Sequence, residues 1–113
     1  MIGRPEQDLN VVLIESIRET IAQLLSPKVA ETLFEHLEKV YSIRKDEVPS
    51  RLDMLLLTLK TTFGSSSAQV IGKAIARRLF DKLDLTFINN PNLTVLEYVE
   101  EAKMKVREKG DKA

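Results

Sequence analysis

Apolar residues recur three and four positions apart along most of the sequence, the spacing that places side chains on one face of an α-helix. The residues from Leu83 to Phe87 instead alternate between apolar and polar, so we predict at most a short extended segment near residues 84–88. The pattern therefore predicts an all-α domain, a compact bundle of about five helices. The predicted stripes are Leu9, Leu13, Ile17, Ile21 and Leu24 (helix at about 9–25); Ala30, Leu33, Phe34, Leu37 and Tyr41 (about 27–41); Leu52, Leu55, Leu56, Leu59 and Phe63 (about 51–63); and Val95, Val99, Ala102 and Val106 (the fifth helix).

The predicted fourth helix, about residues 66–83, combines an apolar stripe with small residues. Ala68, Gly72 and Ala76 lie one turn apart and share a side with Ile75 and Leu79. Glycine inside a helix costs about 1 kcal/mol relative to alanine, so its presence needs a reason. We expect this side to allow close approach of a neighbouring helix.

Local signals predict where the helices begin. Ser26-Pro27 is typical of a helix start, and the Ser50/Asp53 and Thr94/Glu97 pairs have the spacing of capping boxes. Val48 precedes a proline, which favours an extended conformation there. We interpret the chain as one domain, 1–113, with flexible tails at 1–8 and 107–113.

The stretch TTFGSSSAQVIGKAI superficially resembles a phosphate-binding loop. The Walker-type motif fixes the spacing of its glycines and requires a hydroxyl residue after Gly-Lys. Gly64 and Gly72 lie too far apart, and Ala74 occupies the hydroxyl position. We predict instead that Gly64 ends one helix with a positive φ angle and that one of Ser65–Ser67 caps the next.

Composition narrows the class of protein. The 113 residues are 43% hydrophobic and 30% charged, with no cysteine, no apolar run long enough to span a membrane and no signal-peptide pattern. We expect a globular, cytoplasmic protein. Lys+Arg and Asp+Glu balance at 17 each, whereas dedicated nucleic-acid binders usually carry a basic excess.

Candidate catalytic groups are few. His36 is the only histidine, and we interpret it as a boundary residue between two glutamates rather than a metal ligand or base. The clustered carboxylates alternate with lysines at helical spacing, as in the Glu35–Lys39 and Glu101–Lys105 pairs, which is typical of solvated faces. We therefore predict no catalytic, cofactor-binding or metal-binding residues, no cofactor, and no enzymatic activity.

The third helix suggests a protein-binding surface. Met54 and Leu57 lie away from the stripe that its other leucines form, and Thr61 follows one turn later. A helix that is apolar on both sides is either central in the fold or covered by a partner. Central placement is the plainer interpretation. The alternative makes Met54, Leu57 and Thr61 a candidate interface for another protein or for self-association as a homodimer.

Nucleic-acid binding is the alternative function, through basic residues of the loops and of the fourth helix. The cations of that helix project from two different flanks, which favours a role in salt bridges. Aromatic residues do not interleave with them as base-stacking platforms would. The candidate contacts are Arg44, Lys45, Arg51, Lys73, Arg77, Arg78 and Lys82.

An ordered series of short motifs runs along the chain: Phe34–Lys39 with Tyr41 and Ile43, Asp46–Pro49, Phe63-Gly64, Ile71–Leu85 and Leu96–Lys103. This series resembles a family of small archaeal domains, the Nitrosopumilus output domain family. The resemblance implies a helical module that passes a signal to a partner, and it brings no catalytic residues. In that family the module is appended to a signalling protein. Because no receiver or sensor domain precedes it here, we expect a free-standing adaptor as readily as a signalling module.

Overall fold

The computed structural model describes the backbone of residues 5–111 and the side chains of residues 9–108. Within this part the chain contains no strand, so the predicted all-α class is confirmed. The body measures 42 × 33 × 21 Å. Its elements are α1 (Pro5–Leu24), α2 (Pro27–Tyr41), a 3₁₀ helix (Lys45–Ser50), α3 (Leu52–Phe63), α4 (Ser65–Lys82) and α5 (Val95–Asp111).

The helices α1 and α4 form the centre of the bundle. The α1 helix packs against α4, α2, α5 and the 3₁₀ helix, while α4 also carries α3 and α5. The α3 helix packs mainly on α4 and, more lightly, on the 3₁₀ helix. Central placement of α3, the plainer interpretation of its sequence, is therefore wrong, and this helix lies at the side of the bundle.

The apolar stripes form the core, with departures at helix ends. Leu9, Leu13, Ile17 and Ile21 of α1 are all buried, and α2, α4 and α5 bury the middles of their stripes similarly. Leu24 and Tyr41, the last members of the first two stripes, are exposed. They lie at the ends of their helices, where the bundle offers no neighbouring surface to cover them.

Two predicted helix starts are confirmed. The Ser26 Oγ accepts a hydrogen bond from the Val29 N–H (3.1 Å) at the start of α2. At the start of α5 the Thr94 N–H donates to Glu97 Oε1 (2.8 Å), and the Glu97 N–H donates to Thr94 Oγ1 (3.3 Å). These reciprocal bonds satisfy backbone donors that a helix start leaves unpaired.

The start predicted at Ser50 is wrong. Its hydroxyl donates to the Glu47 carbonyl oxygen (2.8 Å), and α3 begins at Leu52 without a side-chain cap. The extended conformation predicted at Val48 is also wrong. Val48 and Pro49 lie inside the 3₁₀ helix, where both are buried. Burial of Val48 outweighs the local preference of the residue before proline.

Gly64 alone connects α3 to α4. Its φ angle is +93°, a positive value as predicted, and its N–H donates to the Lys60 carbonyl oxygen (2.9 Å). Because α4 already begins at Ser65, no serine is left outside the helix to act as its N-cap, so that part of the prediction is wrong.

The connection from α4 to α5 is irregular but ordered by its side chains. Leu83, Leu85 and Phe87 point inward while the residues between them are exposed, so the predicted alternation is present although no strand forms. Phe87 packs against Phe80 and Tyr98, with ring centroids 5.5 and 5.0 Å away. The buried aromatic cluster therefore fixes the path of this segment.

The hydroxyl of Tyr98 ties α5 to the same connection. It accepts a hydrogen bond from the Asn90 N–H (2.6 Å) and donates to the Asn90 carbonyl oxygen (2.9 Å). Both bonds lie in a partly buried environment, where unpaired backbone groups are costly.

The tails predicted at 1–8 and 107–113 lie partly outside the described residues. The α1 helix begins at Pro5 and α5 continues to Asp111. Flexibility of the two ends stays a prediction.

We predict that Tyr98→Phe lowers the free energy of unfolding by about 1–3 kcal/mol, because it leaves the Asn90 N–H without its partner and removes one of the two hydrogen bonds that the Asn90 carbonyl accepts. Urea denaturation followed by circular dichroism measures the change. Tyr41→Phe is the matched control, since Tyr41 is exposed, and should change stability by less than about 0.5 kcal/mol. Equal stability of the two variants would show that the Tyr98 hydroxyl does not hold the connection.

Candidate functional site

A groove of about 680 Å³ opens between α3 and the start of α5, with α4 as its floor. It exists because α3 and α5 both pack on α4 but make few contacts with each other. The turn before α5 forms part of its wall. The lining residues are Leu56, Lys60, Ser65, Ala68, Gln69, Val70, Gly72, Lys73, Pro91, Asn92, Leu93, Thr94, Val95 and Tyr98.

Gly72 lies on the floor of the groove. A methyl group added there would meet Val95 Cβ at 3.5 Å and Leu56 Cδ2 at 3.8 Å, which are ordinary van der Waals distances. The small residues of α4 are buried, as their pattern predicts, and they bring side chains of both neighbouring helices close to the α4 backbone. Alanine would nevertheless fit, so avoidance of a clash does not explain the glycine.

The charged residues of the groove lining are both lysines, Lys60 of α3 and Lys73 of α4. Within the described part of the chain, neither forms an ion pair or a side-chain hydrogen bond. The lining contains no Asp or Glu. The groove is thus a local positive region in a chain with zero formal net charge.

Apolar side chains reach solvent at and beside the groove. Val70, which lines it, is 64% exposed, and Leu57 is 47% exposed. Leu57 precedes Lys60 by three residues on α3, so these two side chains are neighbours on the helix surface. An apolar surface therefore continues from the groove past its rim.

The structure separates the residues of the predicted α3 interface. Leu57 and Thr61 are exposed, whereas Met54 is half-buried and packs against the hydrophobic core. Sequence reasoning missed the groove beside them because its walls come from helices far apart in the chain.

Most of the basic residues predicted for nucleic-acid contact are engaged within the protein. Arg44 lies 3.7 Å from Asp46 and 3.6 Å from Glu47. Arg51 pairs with Asp53 at 3.3 Å. Lys45 and Arg77 lie over the rings of Phe34 and Phe87, at 5.5 and 5.3 Å from the centroids.

The last basic residues of α4 bind α1. Arg78 Nη1 and Lys82 Nζ lie 3.4 and 3.0 Å from Glu19 Oε1, as the salt-bridge interpretation predicts. Arg78 also donates to Thr20 Oγ1 (3.1 Å) and to Gln23. Lys73 is the member of the candidate set that keeps no such partner among the described residues, and it lies in the groove.

These contacts alter the titration of Glu19. The hydrogen bond from Lys82 lowers the pKa of the Glu19 carboxyl below its ordinary value, and the charges of Lys82 and Arg78 act in the same direction. The ionised carboxylate is therefore favoured in the folded protein.

His36 and the carboxylate clusters lie outside the groove. His36 is exposed on α2 and meets the ring of Tyr41 edge to face at 5.9 Å. Glu101 pairs with Lys105 at 3.5 Å as predicted, but no ion pair joins Glu35 to Lys39 in the described residues. Across the same residues, no group of three or more His, Asp or Glu side chains is placed to hold a metal ion.

Within residues 5–111, no helix is both long enough and apolar enough to cross a membrane. Comparison of the chain with known protein families, curated proteins and solved structures found no match. The resemblance to the archaeal output-domain family stays a prediction.

We predict that the Glu19 carboxyl titrates below its ordinary pKa and that Lys82→Gln raises this pKa, because the neutral side chain loses the charge that favours the carboxylate. NMR titration of the Glu19 side chain measures both values. Since the folded-state pKa is the lower one, this contact stabilises the fold above the unfolded-state pKa and is lost as pH falls through the folded-state value. An unchanged Glu19 pKa in Lys82→Gln would contradict the ion pair.

Proposed function

We propose that the protein is a non-enzymatic interaction module that binds a segment of another protein in the groove between α3, α4 and α5. The observation that carries this proposal is the groove itself, a cavity of about 680 Å³ whose lining is mainly apolar with a few polar groups. Such a combination is typical of ligand-binding clefts, in which apolar contacts supply affinity and polar groups fix orientation.

The exposed apolar residues support a protein as the occupant. Val70 and Leu57 extend the apolar surface from the groove onto its surroundings, where a polypeptide could cover more area than a small molecule. The fourteen residues that line the groove are fewer than the roughly 20–30 that a standard protein interface engages on each partner, where about 800 Å² is buried. We therefore expect a short segment and transient binding, as in an adaptor or signal-output module.

We predict that peptides selected from a displayed random twelve-residue library bind this groove. Added to ¹⁵N-labelled protein, they should shift the backbone resonances of Ala68, Gly72 and Val95, which line it. Val70→Gln should weaken binding by about fivefold, because it removes an apolar contact worth about 1 kcal/mol.

Val40→Gln is the matched control for this experiment. Val40 is also a largely exposed valine on a helix, but it lies on α2 and does not line the groove. Leu57→Gln tests whether the binding surface extends beyond the rim. Peptides that shift the resonances of residues on other surfaces would contradict the proposal. So would peptides that bind the Val70→Gln and Val40→Gln variants with equal affinity.

Nucleic-acid binding, the alternative, has little support from the contacts of its candidate residues. Six of the seven candidate cations are paired with Asp46, Glu47, Asp53 or Glu19 or lie over aromatic rings, and Lys73 is the one that is not so engaged among the described residues. Releasing these six would cost the contacts they make within the fold.

In a gel-shift assay at low salt, we expect no complex with duplex DNA or single-stranded RNA at protein concentrations up to about 10 µM, within the range where non-specific binders usually associate. A complex that weakens steeply with added salt would favour the alternative instead. Lys73→Gln would then show whether this lysine takes part.

A further inference from the structure

We infer that the groove selects an acidic amphipathic peptide, a segment in which an apolar side chain is flanked by carboxylates. This inference rests on the proposed function and adds to it the chemistry of the partner. Three features of the groove lead to it: the sign of its charge, the absence of a counter-ion within the described chain, and the apolar character of its floor.

Both charged side chains that line the groove are positive. Lys60 comes from α3 and Lys73 from α4, and the remaining lining residues are neutral. Two ammonium groups on separate helices therefore border the same apolar surface. Complementary charge of this kind steers a partner towards an interface and rejects partners of the same sign.

Several basic residues on the same stretch of chain are already paired with carboxylates. Arg51, Arg78 and Lys82 have carboxylate partners at 3.3, 3.4 and 3.0 Å. Lys60 and Lys73 have none among the described residues. An arriving carboxylate would thus meet cations that are not already paired, beside the apolar residues of the lining.

The apolar part of the lining favours a partner that carries an apolar side chain between the groups that pair with Lys60 and Lys73. Leu56, Val70, Leu93 and Val95 contribute apolar surface to the walls and floor of the groove. Lysine side chains can lay their methylene stems along such walls and keep their ammonium groups at the rim. A purely acidic segment would leave the floor hydrated, whereas a purely apolar one would leave the ammonium groups without an anion.

The test selects twelve-residue peptides from a displayed random library against the wild-type protein and, separately, against the double variant Lys60→Glu/Lys73→Glu. Wild-type protein should enrich peptides that carry Asp or Glu beside a large apolar residue. The double variant should enrich Lys or Arg in the same positions. Circular dichroism confirms that the variants remain folded, which we expect because Lys60 is exposed and Lys73 half-buried.

A selected acidic peptide should then bind Lys60→Gln and Lys73→Gln about two- to fivefold more weakly than wild type. The matched control is Lys39→Gln, an exposed lysine of α2 that lies outside the groove and has no ion pair in the described chain. The affinity of the Lys39→Gln variant for the peptide should equal that of the wild-type protein. Raising the salt concentration from about 0.1 to 1 M should also weaken wild-type binding, because it screens the charges.

The outcomes separate this inference from the proposed function. Peptides that shift groove resonances but show no acidic enrichment, and bind both lysine variants normally, overturn the charge preference and leave the interaction module standing. If no selected peptide shifts groove resonances, both proposals fail. If decanoate, an anionic amphiphile, shifts these resonances while acidic peptides do not, a small molecule is the occupant and the peptide inference is overturned.

Discussion

The packing of α1 on α4 is the contact on which the other helices depend. The buried faces of both helices include side chains with no measurable exposure, such as Ile17, Ile21, Ile75 and Leu79. Burying each such side chain contributes about 1.5–3 kcal/mol, so this pair forms the strongest part of the core. The α2 and 3₁₀ helices pack on α1, α3 on α4, and α5 on both. The groove follows from this arrangement, because α3 and α5 both pack on α4 but make few contacts with each other.

Gly72 occupies a position where alanine would also fit. Replacing a mid-helix glycine by alanine usually stabilises a helix by about 1 kcal/mol, and here the added methyl would find ordinary contacts. A requirement for close helix packing therefore does not explain the glycine fully, and the structure gives no further reason for it.

The sequence predicts those features that depend on neighbouring residues in the chain. The Thr94/Glu97 capping box is correct because its hydrogen bonds lie within one turn. The caps assigned to Ser50 and to Ser65–Ser67 fail because tertiary packing sets where the 3₁₀ helix, α3 and α4 begin. Met54 and Leu57 are similarly apolar, yet only the position of α3 on α4 decides that one packs on the core while the other faces solvent. The groove depends on three separate helices, so no local pattern could reveal it.

The distribution of charge carries more information than its sum. A formal net charge of zero conceals differences among the cations of the described residues: several are held by carboxylates or aromatic rings, whereas Lys60 and Lys73 line the groove. Arg78 and Lys82 tie α4 to α1, so their charges serve the fold. Lys73 lies five residues before Arg78 and nine before Lys82 on the same helix but faces different neighbours. Basic residues on one helix can thus have separate roles, and the neighbours of each side chain, rather than the composition of the helix, distinguish a structural cation from one available to a partner.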